Sequence, residues 1–307
     1  MRMLEADHWS AMSRLNRLTR RQTIVGVASL GIATALPLGG SDAGATSGKE
    51  PWLTLPPTPA LPEATRSGRA AINDVSIFYA VFGQGPPVLL LHGGLANSNY
   101  WGHQVEHLAR SFSVVVMDTR GHGRSPVLSP TFSYAAFAED AAALLDFLKI
   151  PRAAIVGWSD GAVTGLQLAM TKPDRVTKLF AFGGNSSLDG LKANGGRSAV
   201  FGDYARRCRA EYAKLSPHPE RWPQLLDSLR VMWRTEPNFS RQSLAAIKAP
   251  TMIAAGEHDE IIRRDHTESM ARAIAGARLL ILPGVSHFAM LQDPEQFNQA
   301  LTAFLSG

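Results

Sequence analysis

Short apolar runs with almost no polar alternation punctuate the chain from residue 75 onward. PVLLL at 87–91, SVVVM at 113–117 and AAIV at 153–156 have the pattern of strands buried on both faces, as in a parallel sheet. VSIFYAVF at 75–82 and the runs at 176–182, 251–255 and 279–282 extend the series. Between them, apolar positions recur at helical spacing over 135–148, 162–170, 267–275 and 294–305. Strand and helix in alternation predict a doubly wound, mostly parallel α/β sheet. The alternation breaks at 185–248, which holds two helix-like segments, 199–215 and 221–233, between two strands. An insertion there is expected to lie over the strand ends as a helical lid.

Ahead of the sheet the pattern changes twice. Residues 18–40 run from a basic start into an uncharged stretch, and no charge falls between Arg21 and Asp42. Adjacent Arg20 and Arg21 before this modestly apolar stretch look like a twin-arginine export signal, with cleavage before Thr46 at the A-x-A spacing of Ala43-Gly44-Ala45. A periplasmic or secreted location follows, with the membrane engaged only transiently during export. The rival, a membrane anchor, is disfavoured by the Gly, Ala, Thr and Ser content and by Pro37. Pro51, Pro56, Pro57, Pro59 and Pro62 then mark an extended linker or surface arm. The expected organisation is a signal segment over 1–45, a Pro-rich linker over 46–67 and one folded domain over 68–307.

Composition narrows the function classes. The 307 residues, 45% hydrophobic and 19% charged, fit one large globular domain. Five arginines against three acids give 1–45 a charge of +2 within a total of +5, so no basic stripe points to nucleic acid. A single cysteine, Cys208, excludes an intrachain disulfide. His103, Glu106 and His107 have the H-x-x-E-H spacing of some zinc peptidases, but no third ligand is signposted, and no metal is expected.

Polar clusters stand where the apolar runs stop, the place where open parallel sheets collect functional groups. They are Leu91-His92-Gly93-Gly94, Asp118-Thr119-Arg120-Gly121-His122-Gly123, Gly157-Trp158-Ser159-Asp160-Gly161, Gly256-Glu257-His258-Asp259, and Ser286-His287. Gly-x-Ser-x-Gly between a strand and a helix is a nucleophile elbow. The glycines remove side chains that would clash, and the turn lifts the Ser159 hydroxyl to the positive end of a helix. Ser159, a downstream acid and His287 follow in the order Ser, Asp, His. The acid is one of Asp259, Glu257 and Glu260, and His92 and His122 read as loop braces.

These motifs together resemble the α/β-hydrolase superfamily from about residue 68 to the C-terminus. The resemblance implies Ser159 as nucleophile, His287 as general base and then acid, and Asp259 as the group that orients the imidazole. It implies an oxyanion hole from the backbone N–H groups of Asp160 and Gly94, the latter ahead of Leu95, and no cofactor. The substrate is then a small ester-like molecule. The elbow, with Phe182-Gly183-Gly184-Asn185, also looks like that of biphenyl-hydrolase-like (valacyclovir hydrolase) proteins. That likeness makes Asp160 and Trp158 candidate substrate contacts, Asp160 for an amine beside the scissile bond; the rival role for Asp160 is to complement the helix dipole. Two other functional readings stand beside ester or lactone hydrolysis through an acyl-enzyme. One is hydrolysis of a carbon–carbon bond in aromatic degradation, and the other is a non-catalytic binding or sensing protein on the same fold.

Overall fold

The computed structural model describes residues 50–126 and 132–307. The expected signal segment, 1–45, lies outside the described residues. In chain order the strands are β1 (Arg66–Ile72), β2 (Val75–Phe82), β3 (Pro87–Leu91), β4 (Ser113–Met117), β5 (Ala153–Trp158), β6 (Val176–Phe182), β7 (Thr251–Gly256) and β8 (Arg278–Leu282). The α-helices are α1 (Gly102–Leu108), α2 (Tyr134–Phe147), α3 (Asp160–Thr171), α4 (Ala199–Leu215), α5 (Trp222–Thr235), α6 (Arg241–Ala245), α7 (Arg264–Ala273), α8 (Ala289–Gln292) and α9 (Pro294–Ser306).

The eight described strands form one sheet in the order β1-β2-β4-β3-β5-β6-β7-β8. β1 and β2 run antiparallel to their neighbours, and every pairing from β4 through β8 is parallel. The doubly wound α/β sheet expected from the apolar runs is therefore present. Alternate residues of each central strand feed opposite cores: Val88 and Leu90 face one layer and Leu89 and Leu91 the other, and Phe180 and Phe182 oppose Leu179 and Ala181 in the same way. Both layers exclude water, which is why these strands carry no polar alternation.

β1 has no counterpart in the apolar pattern. Its sequence RSGRAAI buries only Ala70, because it is an edge strand held by its antiparallel ladder to β2 from Arg66 to Ile72. The sheet thus begins at Arg66, ahead of the expected domain start at 68. The Pro-rich segment from Glu50 to the start of β1 carries no helix or strand apart from a 3-10 turn at Pro51–Leu53, and Leu55, Leu61 and Ala64 are partly buried against the core.

The insertion between β6 and β7 contains α4 and α5, close to the two segments expected, and the short α6 follows them. Its ends are pinned together: Phe239 N–H donates to the Ser186 carbonyl at 2.7 Å, and Ser187 bridges Asn238. Tyr204, Cys208 and Tyr212 of α4 and Leu225, Leu229 and Met232 of α5 join the same apolar layer as the β5 and β6 side chains.

One consequence concerns stability. Phe180 is wholly buried on β6, with Phe297 and Phe304 of α9 at ring separations of 5.8 and 5.9 Å. Phe180→Ala is expected to cost about 3–5 kcal/mol through lost burial and an unfilled cavity. Urea denaturation checks this as a lowered midpoint with an unchanged slope.

Candidate active site

Steric necessity fixes the elbow. Ser159 has φ 56° and ψ −122°, a left-handed conformation that a non-glycine residue keeps only when its surroundings enforce it. A Cβ on Gly157 would stand 2.2 Å from the Gly161 carbonyl oxygen, and one on Gly161 would stand 2.0 Å from that of Leu91. Only glycine at both places lets β5, the turn, α3 and β3 approach this closely. Ser159 N–H donates to the Phe182 carbonyl at 2.9 Å, tying the turn to β6, and the side chain caps no helix N–H. Asp160 is the first residue of α3, so its own N–H has no intrahelical acceptor.

The acid and the imidazole come from the loops after β7 and β8. His287 Nδ1 donates to Asp259 Oδ2 at 2.9 Å, and the two residues are 2% and 3% exposed. Asp259 Oδ1 accepts the N–H groups of Ile261 and Ile262, each at 2.8 Å. Burial opposes ionisation of Asp259, but the imidazole and these two N–H groups outweigh it and hold its carboxyl below the usual range. Burial likewise opposes charge on His287, yet Asp259, then Glu260 and Asp160, raise its pKa above 6.5. The left-handed Gly183 makes room for the pair. A Cβ there would lie 2.9 Å from His287 Nδ1 and 3.4 Å from Asp259 Oδ2.

The rivals of Asp259 hold other bonds. Glu257 Oε2 accepts Gly284 N–H at 3.0 Å, and Glu260 Oε2 accepts the backbone N–H of His287 at 3.1 Å. Burial raises the Glu260 carboxyl. His266, the other late histidine, accepts Ser186 N–H at Nε2. His92 Nε2 accepts Thr119 N–H at 3.0 Å while its Nδ1 donates to the Gly93 carbonyl, and His122 Nδ1 donates to the Arg120 carbonyl. Burial keeps both rings neutral, that of His122 with a pKa of about 3. His107 Nε2 bonds Thr302 Oγ1 at 2.8 Å.

The loop after β3 stands against the elbow. A Cβ on Gly93 would come within 3.1 Å of Ser159 Cβ, and one on Gly94 within 2.3 Å of Asp160 Oδ2 and 2.5 Å of the Trp233 ring. The Gly94 carbonyl accepts a short hydrogen bond from Tyr204 Oη of α4.

For the two tentative substrate contacts the structure gives different surroundings. Trp158 is 1% exposed, packed among Tyr100, Tyr204 and Phe288, and its Nε1 donates to the His287 carbonyl at 2.8 Å. It joins the elbow to the His287 loop from within the apolar layer. Its position as the last residue of an all-buried strand is the signal for this. Asp160 Oδ1 accepts Tyr134 Oη and Oδ2 accepts Trp233 Nε1, both at 2.8 Å. Tyr134 N–H in turn donates to Glu236 Oε2 just beyond α5. Asp160 thus anchors α5 and the start of α2 to the elbow, while burial pushes its carboxyl up to about 6 against the pull of Trp233, Tyr134 and His287. An aromatic at helical spacing, buried as Tyr134 is or partly buried as Trp233 is, carries no mark of its partner in the sequence.

Residues 86–216 match the family model described as the alpha/beta hydrolase fold. The serine hydrolase BPHL of Homo sapiens is 28% identical over 84% of this chain and 94% of its own length. The 3-oxoadipate enol-lactonase 2 of Acinetobacter baylyi is 26% identical over 76% of this chain and 94% of its own length. Among solved structures, Est816, described as an N-acyl homoserine lactone degrading enzyme, superposes with a TM-score of 0.67 at 27% identity, covering 77% of this chain and all of its own. With this sheet order and the elbow after β5, the chain has the α/β-hydrolase fold, and the relatives it resembles are hydrolases.

Proposed function

We propose that the chain is a cofactor-independent serine hydrolase that cleaves carboxylic esters or lactones through an acyl-enzyme. The observation that carries this reading is the buried His287–Asp259 pair at the same end of the parallel sheet as an elbow serine held at φ 56°. Asp259 fixes the tautomer by accepting from Nδ1, which leaves Nε2 as the basic atom of the ring. Ser159 Oγ attacks the carbonyl carbon as its proton passes to His287 Nε2. The oxyanion then forms toward the N–H groups of Asp160 and Gly94. The imidazolium gives its proton to the departing alcohol oxygen as the carbon–oxygen bond breaks, and water repeats the sequence on the acyl-enzyme.

A lactone substrate agrees with the activities for which the enol-lactonase and Est816 are named. Because Asp160 is held by Tyr134 and Trp233, its anchoring role is favoured over an amine contact, and the proposal requires no amine on the substrate. α4 and α5 act as the lid of this site, with Trp233 forming the wall over Gly94.

Three outcomes test the assignment. A fluorophosphonate probe is expected to label the wild type on Ser159 and to leave Ser159→Ala unlabelled, with hydrolysis of short-chain aryl esters lost by about 10⁴-fold or more. Mass spectrometry of the labelled peptide checks the residue; an unlabelled wild type removes the reading. Because the neutral imidazole is the base and its pKa is raised, kcat/KM should climb with pH through an inflection above 6.5. In Asp259→Asn that inflection should move to lower pH and the plateau fall by about 10³–10⁴-fold. Gly183→Ala, which crowds the imidazole from a left-handed position, should lower kcat by about 10²-fold while Ser159 still labels slowly.

A further inference from the structure

The segment that composition marks as a linker reaches three parts of the site. Trp52 stacks on His258, the neighbour of Asp259, with ring centroids 3.9 Å apart and planes 15° from parallel. Gln292, the last residue of α8, is a clamp between the segment and the loop that carries His287. Its Nε2 donates to the Thr54 carbonyl at 2.9 Å and to Ser286 Oγ at 3.0 Å, and its Oε1 accepts Ser286 N–H at 2.7 Å. Arg207 of α4 donates to the Leu55 carbonyl at 2.7 Å and to that of Pro56. Farther along, the segment crosses Gly102, where a Cβ would meet the Ala60 carbonyl at 2.5 Å and the Pro59 ring at 2.9 Å.

These contacts fall beside Asp259, beside His287 and on the insertion, all outside the sheet. The acid and base loops are already joined by His258 N–H donating to the Val285 carbonyl at 2.9 Å. Trp52 and Gln292 hold the two ends of that same bridge from outside. We propose that residues 50–60 form a strap that sets the positions of the acid and base loops for hydrolysis, with Trp52 of the strap and Gln292 of α8 as the positioning residues. The inference rests on the hydrolase reading above for its kinetic consequence, and on the geometry alone for its effect on the loops. A displacement of about 1 Å between reacting groups costs on the order of 10²-fold in rate, so a partial loosening of the loops is expected to be visible in kcat.

The test compares Trp52→Ala, Gln292→Ala and the double variant with Trp52→Phe, which keeps an aromatic face for His258. Three readouts are taken on each: kcat and KM for a p-nitrophenyl ester, hydrogen–deuterium exchange across the chain, and the midpoint of urea unfolding. The strap predicts a loss of about tenfold in kcat at unchanged KM in the alanine variants, with recovery in Trp52→Phe. It also predicts faster exchange confined to 257–262 and 284–288, with a urea midpoint close to that of the wild type. Unchanged kcat with unchanged exchange in those two loops overturns it, as does faster exchange spread evenly over the sheet. If the wild-type Ser159 fails to react with a fluorophosphonate, the hydrolase reading falls, and the exchange pattern still decides whether the strap holds the loops.

Discussion

The buried bond between His287 and Asp259 is the interaction on which the proposed hydrolytic site depends. An imidazole and a carboxylate this far from water are each costly to ionise alone, and together they favour the charged pair. Removing one partner of such a pair typically costs about 3–5 kcal/mol, since the other is left buried and uncompensated. The surrounding structure is consistent with that demand. Ile261 and Ile262 donate to the second oxygen of Asp259, Glu260 receives the backbone of His287, and Gly183 vacates the space where any side chain would press on the ring. Three loops that follow three different strands are thereby held in register with one another.

Much of this was legible in the sequence, and the reasons are physical. Central strands buried on both faces leave uninterrupted apolar runs, so β3 through β7 stand out, and β2 does so by its length and content. The elbow declares itself because its glycines answer a steric demand no other residue meets. Asp259 and His287 follow from their place after strands and from the resemblance the motifs carry. The edge strand β1 was hidden, because its stability comes from backbone pairing with β2 and from few side chains of its own. Trp158 misled for a related reason. A Trp beside a nucleophile invites a substrate role, yet an all-buried strand turns it into the layer beneath the site.

Asp160 shows how one carboxylate can serve two demands. At the first turn of α3 it complements the helix dipole, and its oxygens simultaneously receive donors from α5 and α2. Its charge also adds to the field that raises the His287 pKa. In the proposed reaction, a carboxylate beside the developing oxyanion would oppose it. Two donated hydrogen bonds draw its charge toward Trp233 and Tyr134 and so reduce that opposition.

The Pro-rich segment illustrates why composition alone misjudges a chain's role. Proline removes backbone donors and favours an extended path without internal hydrogen bonds, which is the usual description of a linker. The same property leaves its carbonyls as acceptors with no partner of their own. Arg207 and Gln292 supply the missing donors at Thr54, Leu55 and Pro56, and each is a side chain whose position in a helix gives no hint of a distant target. An extended chain rich in unsatisfied acceptors is loose in isolation. Against a surface that presents matched donors it becomes a fixed part of the fold, and here those donors belong to α4 of the insertion and to the end of α8, just beyond the His287 loop.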